Sequence, residues 1–211
     1  LEAQGYEKAK DLIAFTMRTD QDIPAPAMRM AQKAAAQIEG FYERALERKH
    51  MKRDLRLILG LFNRAWAGNW GFVPMTEAEM TYTAHNMRPL LDSALLRIVE
   101  INGKPAAMIV ALPDLNEAIA DLGGKLWPLG WWKLIRRLKV KGLRGARVLL
   151  MGVDPAFQSG ATGGALALFL IVRLHEALRA GGYREAELSW ILEDNTPTIK
   201  LIESVGGQAC K

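Results

Sequence analysis

The chain carries one cysteine, Cys210, and three histidines among its 211 residues. A single thiol excludes an internal disulfide and a cysteine-based metal site, and it fits a reducing compartment. His85 has no second histidine or carboxylate at ligand spacing, so no metal is expected. No signal peptide is visible at the start. No apolar run approaches the ~20 residues that a membrane-spanning helix needs. The expectation is a cytoplasmic protein with no integral membrane segment. The basic clusters lack the aromatic spacing of RNA or DNA readers, so nucleic acid is not an expected partner.

Hydrophobic residues make up 50% of the chain, enough for a sizeable core. The net charge of +5 and pI near 9.4 suit an anionic ligand, and also nucleic acid or a membrane surface. The charge is concentrated in Arg44–Arg56 and Lys133–Arg147. Such runs read first as solvated helix faces.

One stretch organises the rest: Met151-Gly-Val-Asp-Pro-Ala-Phe-Gln-Ser-Gly-Ala-Thr-Gly-Gly164. Residues Arg147 to Val153 before it read as a buried strand. Residues Ala165 to Ala180 after it read as a helix, with Leu166, Phe169, Leu170, Leu174 and Leu178 at spacings of three and four. A glycine-rich turn opening a helix leaves backbone N–H groups unpaired at the positive end of the helix dipole. That is an anion cradle suited to phosphate, and Gly160, Gly163 and Gly164 keep side chains out of it. The alternative is a turn that only packs a helix on a sheet.

This stretch resembles the acyl-CoA pyrophosphate loop of the GNAT acetyltransferase superfamily: Val153, Pro155, Gln158, Ser159, Gly160, Ala161, Thr162 and Gly163 follow its pattern. The departure is Ala161, where glycine is usual. A second GNAT signature is matched by Asn195, Thr198, Ile202 and Gly206-Gly207. Its departure is Ile202, where family members often have a tyrosine that protonates the departing CoA thiolate; isoleucine cannot donate a proton.

The resemblance implies an α/β (α+β) GNAT acyl-CoA N-acyltransferase fold: a mixed central sheet flanked by helices, with a helical insertion between the third and fourth strands. It implies an enzyme that moves an acetyl group from acetyl-CoA, or another acyl-CoA, to an amine on a small molecule or peptide. The alternative is a catalytically silent acyl-CoA-binding or scaffold module. Splayed strands would leave backbone groups free near Met151 and Val153 for the pantetheine arm. Residues Gln158 to Gly164 would hold the pyrophosphate, and Asn195 would touch the arm. The proton acceptor must lie near the thioester, which makes Glu193, Asp194 and Glu187 candidates.

Along the chain, Leu1 to Lys10 echoes Ile202 to Lys211 as a helix end, a glycine and a strand. Residues 1–18 are therefore expected to close a preceding GNAT-like copy, in the same chain or met through a homodimer. Residues 19–40 read as a linker with Pro24 and Pro26, then an alanine-rich helix over 27–39. Residues 41–211 read as the GNAT-like domain, lacking its final strands. Either residues beyond the chain or the strand over 8–17 would have to complete the sheet. Residues 41–46 form a short strand, and 51–67 an amphipathic helix. Thr76 and Glu79 make a capping box for a helix over 77–87, and Asn102-Gly103 a hairpin turn between strands 95–101 and 104–112.

Two segments are candidates for holding the acceptor. Asn63, Trp66, Asn69, Trp70 and Phe72 mix aromatics with amides, which suits a pocket wall better than a core. Trp127, Trp131 and Trp132 beside Arg136, Arg137 and Lys139 make an aromatic-basic surface in the insertion 113–146, where helices are expected at 115–122 and 131–138. That surface suits a lid, a subunit interface or a membrane-surface element, the first two being favoured.

Overall fold

A computed structural model describes residues 2–138 and 142–210; Leu1, Lys139 and Lys211, which entered the sequence reading, lie outside them. The secondary structure follows the apolar periodicity closely. Strands are β1 (Leu12–Arg18), β2 (Phe41–Ala45), β3 (Leu96–Ile101), β4 (Lys104–Pro113), β5 (Gly145–Val153), β6 (Glu185–Leu192) and β7 (Gln208–Ala209). Helices are α1 (Ala25–Gln37), α2 (Met51–Trp66), α3 (Glu77–Met87), α4 (Leu115–Ile119), α5 (Gly130–Arg136), α6 (Ala161–Ala180) and α7 (Thr196–Ser204).

The strands form one seven-stranded sheet in the order β2-β3-β4-β5-β6-β1-β7. Each pairing is antiparallel except β5 with β6. Asn102 and Gly103 take φ of 51° and 73° at the β3–β4 turn, the left-handed pair that a two-residue hairpin requires. The Thr76–Glu79 capping box forms in both directions at the start of α3.

β1 lies between β6 and β7, so the start of the chain belongs to this sheet. The boundary drawn at residue 41 is therefore not a boundary of the sheet or core. Phe15 and Met17 of β1 are buried in it, and α1 packs on α6 through Ala27, Ala31 and Ala34. Small residues at that spacing let the two helices approach closely.

α6 spans the core between the sheet and α1. Leu166, Leu170, Leu174 and Leu178 are buried as expected; Leu168, Ile171 and Val172 are buried as well, because α1 covers the outer face. By length and composition α6 is apolar enough to cross a membrane, which corrects the expectation that no run comes close, but most of it is buried inside this protein. His175 on it donates to the Arg18 and Gln21 carbonyls, which ties the end of β1 to the helix.

A buried ion cluster fixes the start of α2. Asp54, fully buried, accepts both Nη groups of Arg44 at 2.8 and 2.9 Å, and also Glu47 N–H and Arg53 Nε. Arg44 also reaches Glu100 on β3. Burial raises the Asp54 carboxyl, but Arg44 and these N–H donors outweigh it and hold the group below the usual carboxylate range.

Candidate functional site

The site is built on the divergence of β5 from β6. Their parallel pairing runs from Gly145–Glu185 to Val148–Leu188 and stops, while β6 continues along β1 to Leu192. A gap opens between residues 149–153 and 189–192. Asp154 N–H donates to the Ala106 carbonyl, which flanks the Val153–Ala107 pair. The N–H and C=O of Val153, and by alternation those of Met151, therefore face the gap.

The two carbonyls are not free, which corrects the expectation for Met151 and Val153. Trp66 Nε1 donates to the Met151 carbonyl at 3.1 Å, and Gln158 Nε2 to the Val153 carbonyl at 2.7 Å. The N–H groups are what the strand offers the gap.

Beyond Val153, Asp154 accepts from Ala156 N–H and starts a single helical turn over Pro155–Phe157. Gly160 then takes φ 66°, ψ −147°, a conformation open only to glycine, and α6 begins at Ala161. The helix thus starts four residues earlier than the apolar spacing indicated, with Thr162, Gly163 and Gly164 in its first turn. Gly160 supplies the positive φ, so Ala161 needs no glycine freedom. Gly160 provides no side-chain cap, which leaves the first-turn N–H groups facing outward. A Cβ on Gly163 would lie 2.9 Å from Gln158 Cα, so only glycine lets the loop fold against the helix. A Cβ on Gly164 would meet nothing within 4 Å: that glycine keeps the approach open.

The aromatic loop sits beside this gap. Gly152 lets α2 close on β5: a Cβ there would lie 2.9 Å from Ala65 Cβ. Trp66 and Phe72 both pack on Phe62, with centroids 5.1 and 5.2 Å apart. Asn63 is occupied, donating to the Met75 carbonyl and accepting from its N–H, so it holds the loop. Asn69 is half-buried and Trp70 points outward. Arg64, which the sequence did not single out, donates to Asp154 at 2.7 Å and brings a cation to the glycine loop.

The three carboxylate candidates separate. Glu193 pairs with Lys8 and accepts Asp11 N–H, and Asp194 pairs with Lys10, which holds its carboxyl below the usual range. Both cap the far end of β6, tied to the segment before β1. Glu187 instead stands where β5 and β6 converge. It accepts from Ser189 Oγ at 2.7 Å and from Arg147 Nη2 at 2.6 Å. Burial raises Glu187, but Ser189 and Arg147 outweigh it and keep it ionised. Arg147 Nε is buried and has no hydrogen-bond partner among the described residues. Such an orphan donor is uncommon in a finished core. Sequence reasoning missed Arg147 because only strand register brings it to Glu187; Ser189, two residues along β6 from Glu187, shares its face by simple alternation and was open to the sequence.

Asn195 caps α7 by accepting Thr198 N–H. Ile202 is 1% exposed, and a Cβ on Gly207 would lie 2.3 Å from its Cγ2. It packs the sheet end and presents no proton donor. Among the described residues no three His, Cys, Asp or Glu side chains gather as a metal site.

The insertion stands apart. It leaves β4 at Pro113 and returns at Gly145, the opposite end of β5 from the glycine loop, about 26 Å away at ~3.3 Å per residue. Arg137 joins α5 to α4 through the Ala118 carbonyl and Asp121, and Glu117 accepts Arg144 and Gly145 N–H. Among the described residues no hydrogen bond or ion pair links it to the glycine loop or to residues 63–72. Trp127 and Trp131 are thus not brought beside Trp66 and Phe72.

Comparison with solved structures identifies this arrangement. Over 99% of its length the chain superposes on 51% of a GCN5-related N-acetyltransferase chain from Sphaerobacter thermophilus, with TM-score 0.61 and 18% identity. A GCN5-related glucosamine N-acetyltransferase region of a fungal β-N-acetylglucosaminidase gives TM-score 0.59 at 11% identity, covering 99% of this chain and 21% of that one. The chain has the GNAT acetyltransferase fold. No family model matches it. Among curated proteins, this chain is 40% identical over 207 residues to the bacterial ceramide synthase of Caulobacter vibrioides, covering 98% of the chain and 53% of that protein. It is 38% identical over 212 residues to protein YghO of Escherichia coli, covering 100% and 54%. The chain spans about half the length of these two relatives.

Proposed function

We propose that the chain is an N-acyltransferase module that joins the acyl group of an acyl-CoA to a primary amine. The observation that carries this reading is the uncapped, glycine-lined start of α6 opening on the β5–β6 gap. The pyrophosphate would rest on the N–H groups of Gly160 to Gly164, with Gln158, Ser159 and Arg64 around it. The pantetheine arm would pair with the N–H groups of Val153 and Met151, beside Asn195. An arm running along β5 from that end delivers the thioester to the convergence at Val148 and Leu188, beside Glu187, Ser189 and Arg147.

The amine nitrogen then attacks the thioester carbonyl, the C–N bond forms and the C–S bond breaks. Bond formation makes the nitrogen acidic, so Glu187 suffices as proton acceptor although its basicity is low. Arg147 and Ser189 hold Glu187 in place. A thiol is a moderate acid, with pKa about 8.5, so the thiolate leaves without the tyrosine that Ile202 replaces. Catalysis is then mostly positioning of two bound substrates.

The similarity to a ceramide synthase favours a long-chain amine as acceptor and an acyl group longer than acetyl, since a ceramide is the fatty amide of a long-chain amino alcohol. Incubation with acetyl-CoA or palmitoyl-CoA and a long-chain amino alcohol, read by mass spectrometry, tests this. Amide formation with palmitoyl-CoA is the expected result. No amide from either donor, in protein that binds CoA, would favour the second reading, a silent acyl-CoA-binding module, to which Ile202 points.

A further inference from the structure

We propose that the insertion between β4 and β5 docks the protein on an anionic phospholipid bilayer. From Leu122 to Leu138 the sequence contains only apolar residues, glycine, proline, lysine and arginine. The structure turns the largest of these outward: Trp127 is 81% exposed and Leu129 68%, with Leu126, Trp131, Trp132 and Ile135 exposed beside them. The insertion leaves these rings and side chains in water, which is the unusual fact about it.

The uncompensated charge around them is mainly positive. Of the carboxylates at this end, Asp121 is occupied by Arg137 and Lys133, and Glu117 by the N–H groups of Arg144 and Gly145. Among the described residues, Lys125, Arg136, Arg144 and Arg184 have no carboxylate within salt-bridge distance. Arg136 lies over the Trp132 ring at 5.8 Å from its centroid. Arg144 and Arg184, with Arg137, line a cleft of about 600 Å³ at the base of the insertion. Tryptophan and leucine at the acyl boundary, with lysine and arginine at headgroup depth, are what a bilayer surface accommodates. A protein partner would have to supply both an apolar socket and a ring of acids; a bilayer containing phosphatidylglycerol supplies both without a matched shape.

This surface lies at the end of β5 opposite the glycine loop, so docking leaves that loop in water. The inference stands on this surface and does not depend on the acyl-CoA reading.

The test is flotation of the protein with vesicles of phosphatidylcholine alone and with phosphatidylglycerol added. The expected result is recovery with the anionic vesicles, weakened by added salt. Trp127→Ala/Leu129→Ala/Trp132→Ala should reduce partitioning at least tenfold, and Lys125→Glu/Arg136→Glu should remove the preference for anionic lipid. Circular dichroism and CoA affinity of each variant report folding separately, so loss of docking is distinguishable from failure of the acyl-CoA site. Equal recovery with and without vesicles would overturn the proposal. So would a wild-type dimer, seen by light scattering, that the apolar triple variant converts to monomer: the patch would then be an interface between copies.

Discussion

Two arginine–carboxylate clusters sit on the same sheet and do different things. At Arg44 and Asp54 every buried polar atom is matched: the carboxylate accepts from two Nη groups, a backbone N–H and a second arginine, and the guanidinium reaches Glu100 as well. At Arg147 and Glu187 the match is partial, with side chains 31% and 29% exposed and a buried Nε lacking a partner among the described residues. The first cluster closes on itself and locks α2 to β2 and β3. The second stands at the closed end of a gap, where β5 and β6 converge, with capacity left over. Ionic chemistry alone does not mark a site; unspent hydrogen-bonding capacity beside open space does.

The sharpest way to break this contrast is to remove one acid from each cluster. Asp54→Ala leaves Arg44 buried without its main partner, and should cost roughly 3–5 kcal/mol of unfolding free energy by denaturant titration. Glu187→Gln should leave stability nearly unchanged and lower the acylation rate about a hundredfold or more, the usual scale for a lost proton acceptor. If Asp54→Ala were mild and Glu187→Gln unfolded the protein, the roles would be reversed. Gly163→Val forces a side chain against Gln158 and should weaken CoA binding about tenfold, in line with an overpacking cost of ~1–3 kcal/mol. Calorimetry would show it.

Acid sharpens the comparison further. Asp54 is depressed in the folded state, so its contribution is complete above its unfolded value, about pH 4, and is lost as pH falls through the lower folded value. Stability of the wild type should therefore drop through that window, and Asp54→Asn should give a flatter profile. The smallest effect is expected at the far end of β6: Asp194→Asn removes an exposed pair with Lys10 and should leave the acylation rate unchanged. A large rate loss there would move the proton acceptor away from Glu187.

Much of this was legible in the sequence because it is local. The capping box at Thr76, the Asn102-Gly103 turn and the glycine loop each carry their geometry within a few residues. The rest depends on pairing across the chain. β6 shows the limit: period-two alternation over Glu185–Leu192 puts Trp190 on the face of Leu188, yet Trp190 is exposed and Ile191 buried. Opposite β1 the register jumps from Leu188–Phe15 to Ile191–Ile13, one residue too many on β6. This bulge, just past the point where β6 parts from β5, turns Trp190 out, and no period-two pattern announces it. β1 was legible as a strand, but its place between β6 and β7 was one of two options, because register is a long-range choice. Arg64 and Arg147 were invisible for the same reason: their partners, Asp154 and Glu187, lie on other elements.

The most direct measurement is calorimetric titration of CoA into the wild type and Gly163→Val. Micromolar binding by the wild type, with at least tenfold loss in a variant that circular dichroism shows to be folded at the titration temperature, is what the account predicts. No binding by folded wild type, or equal affinity in both, would contradict it.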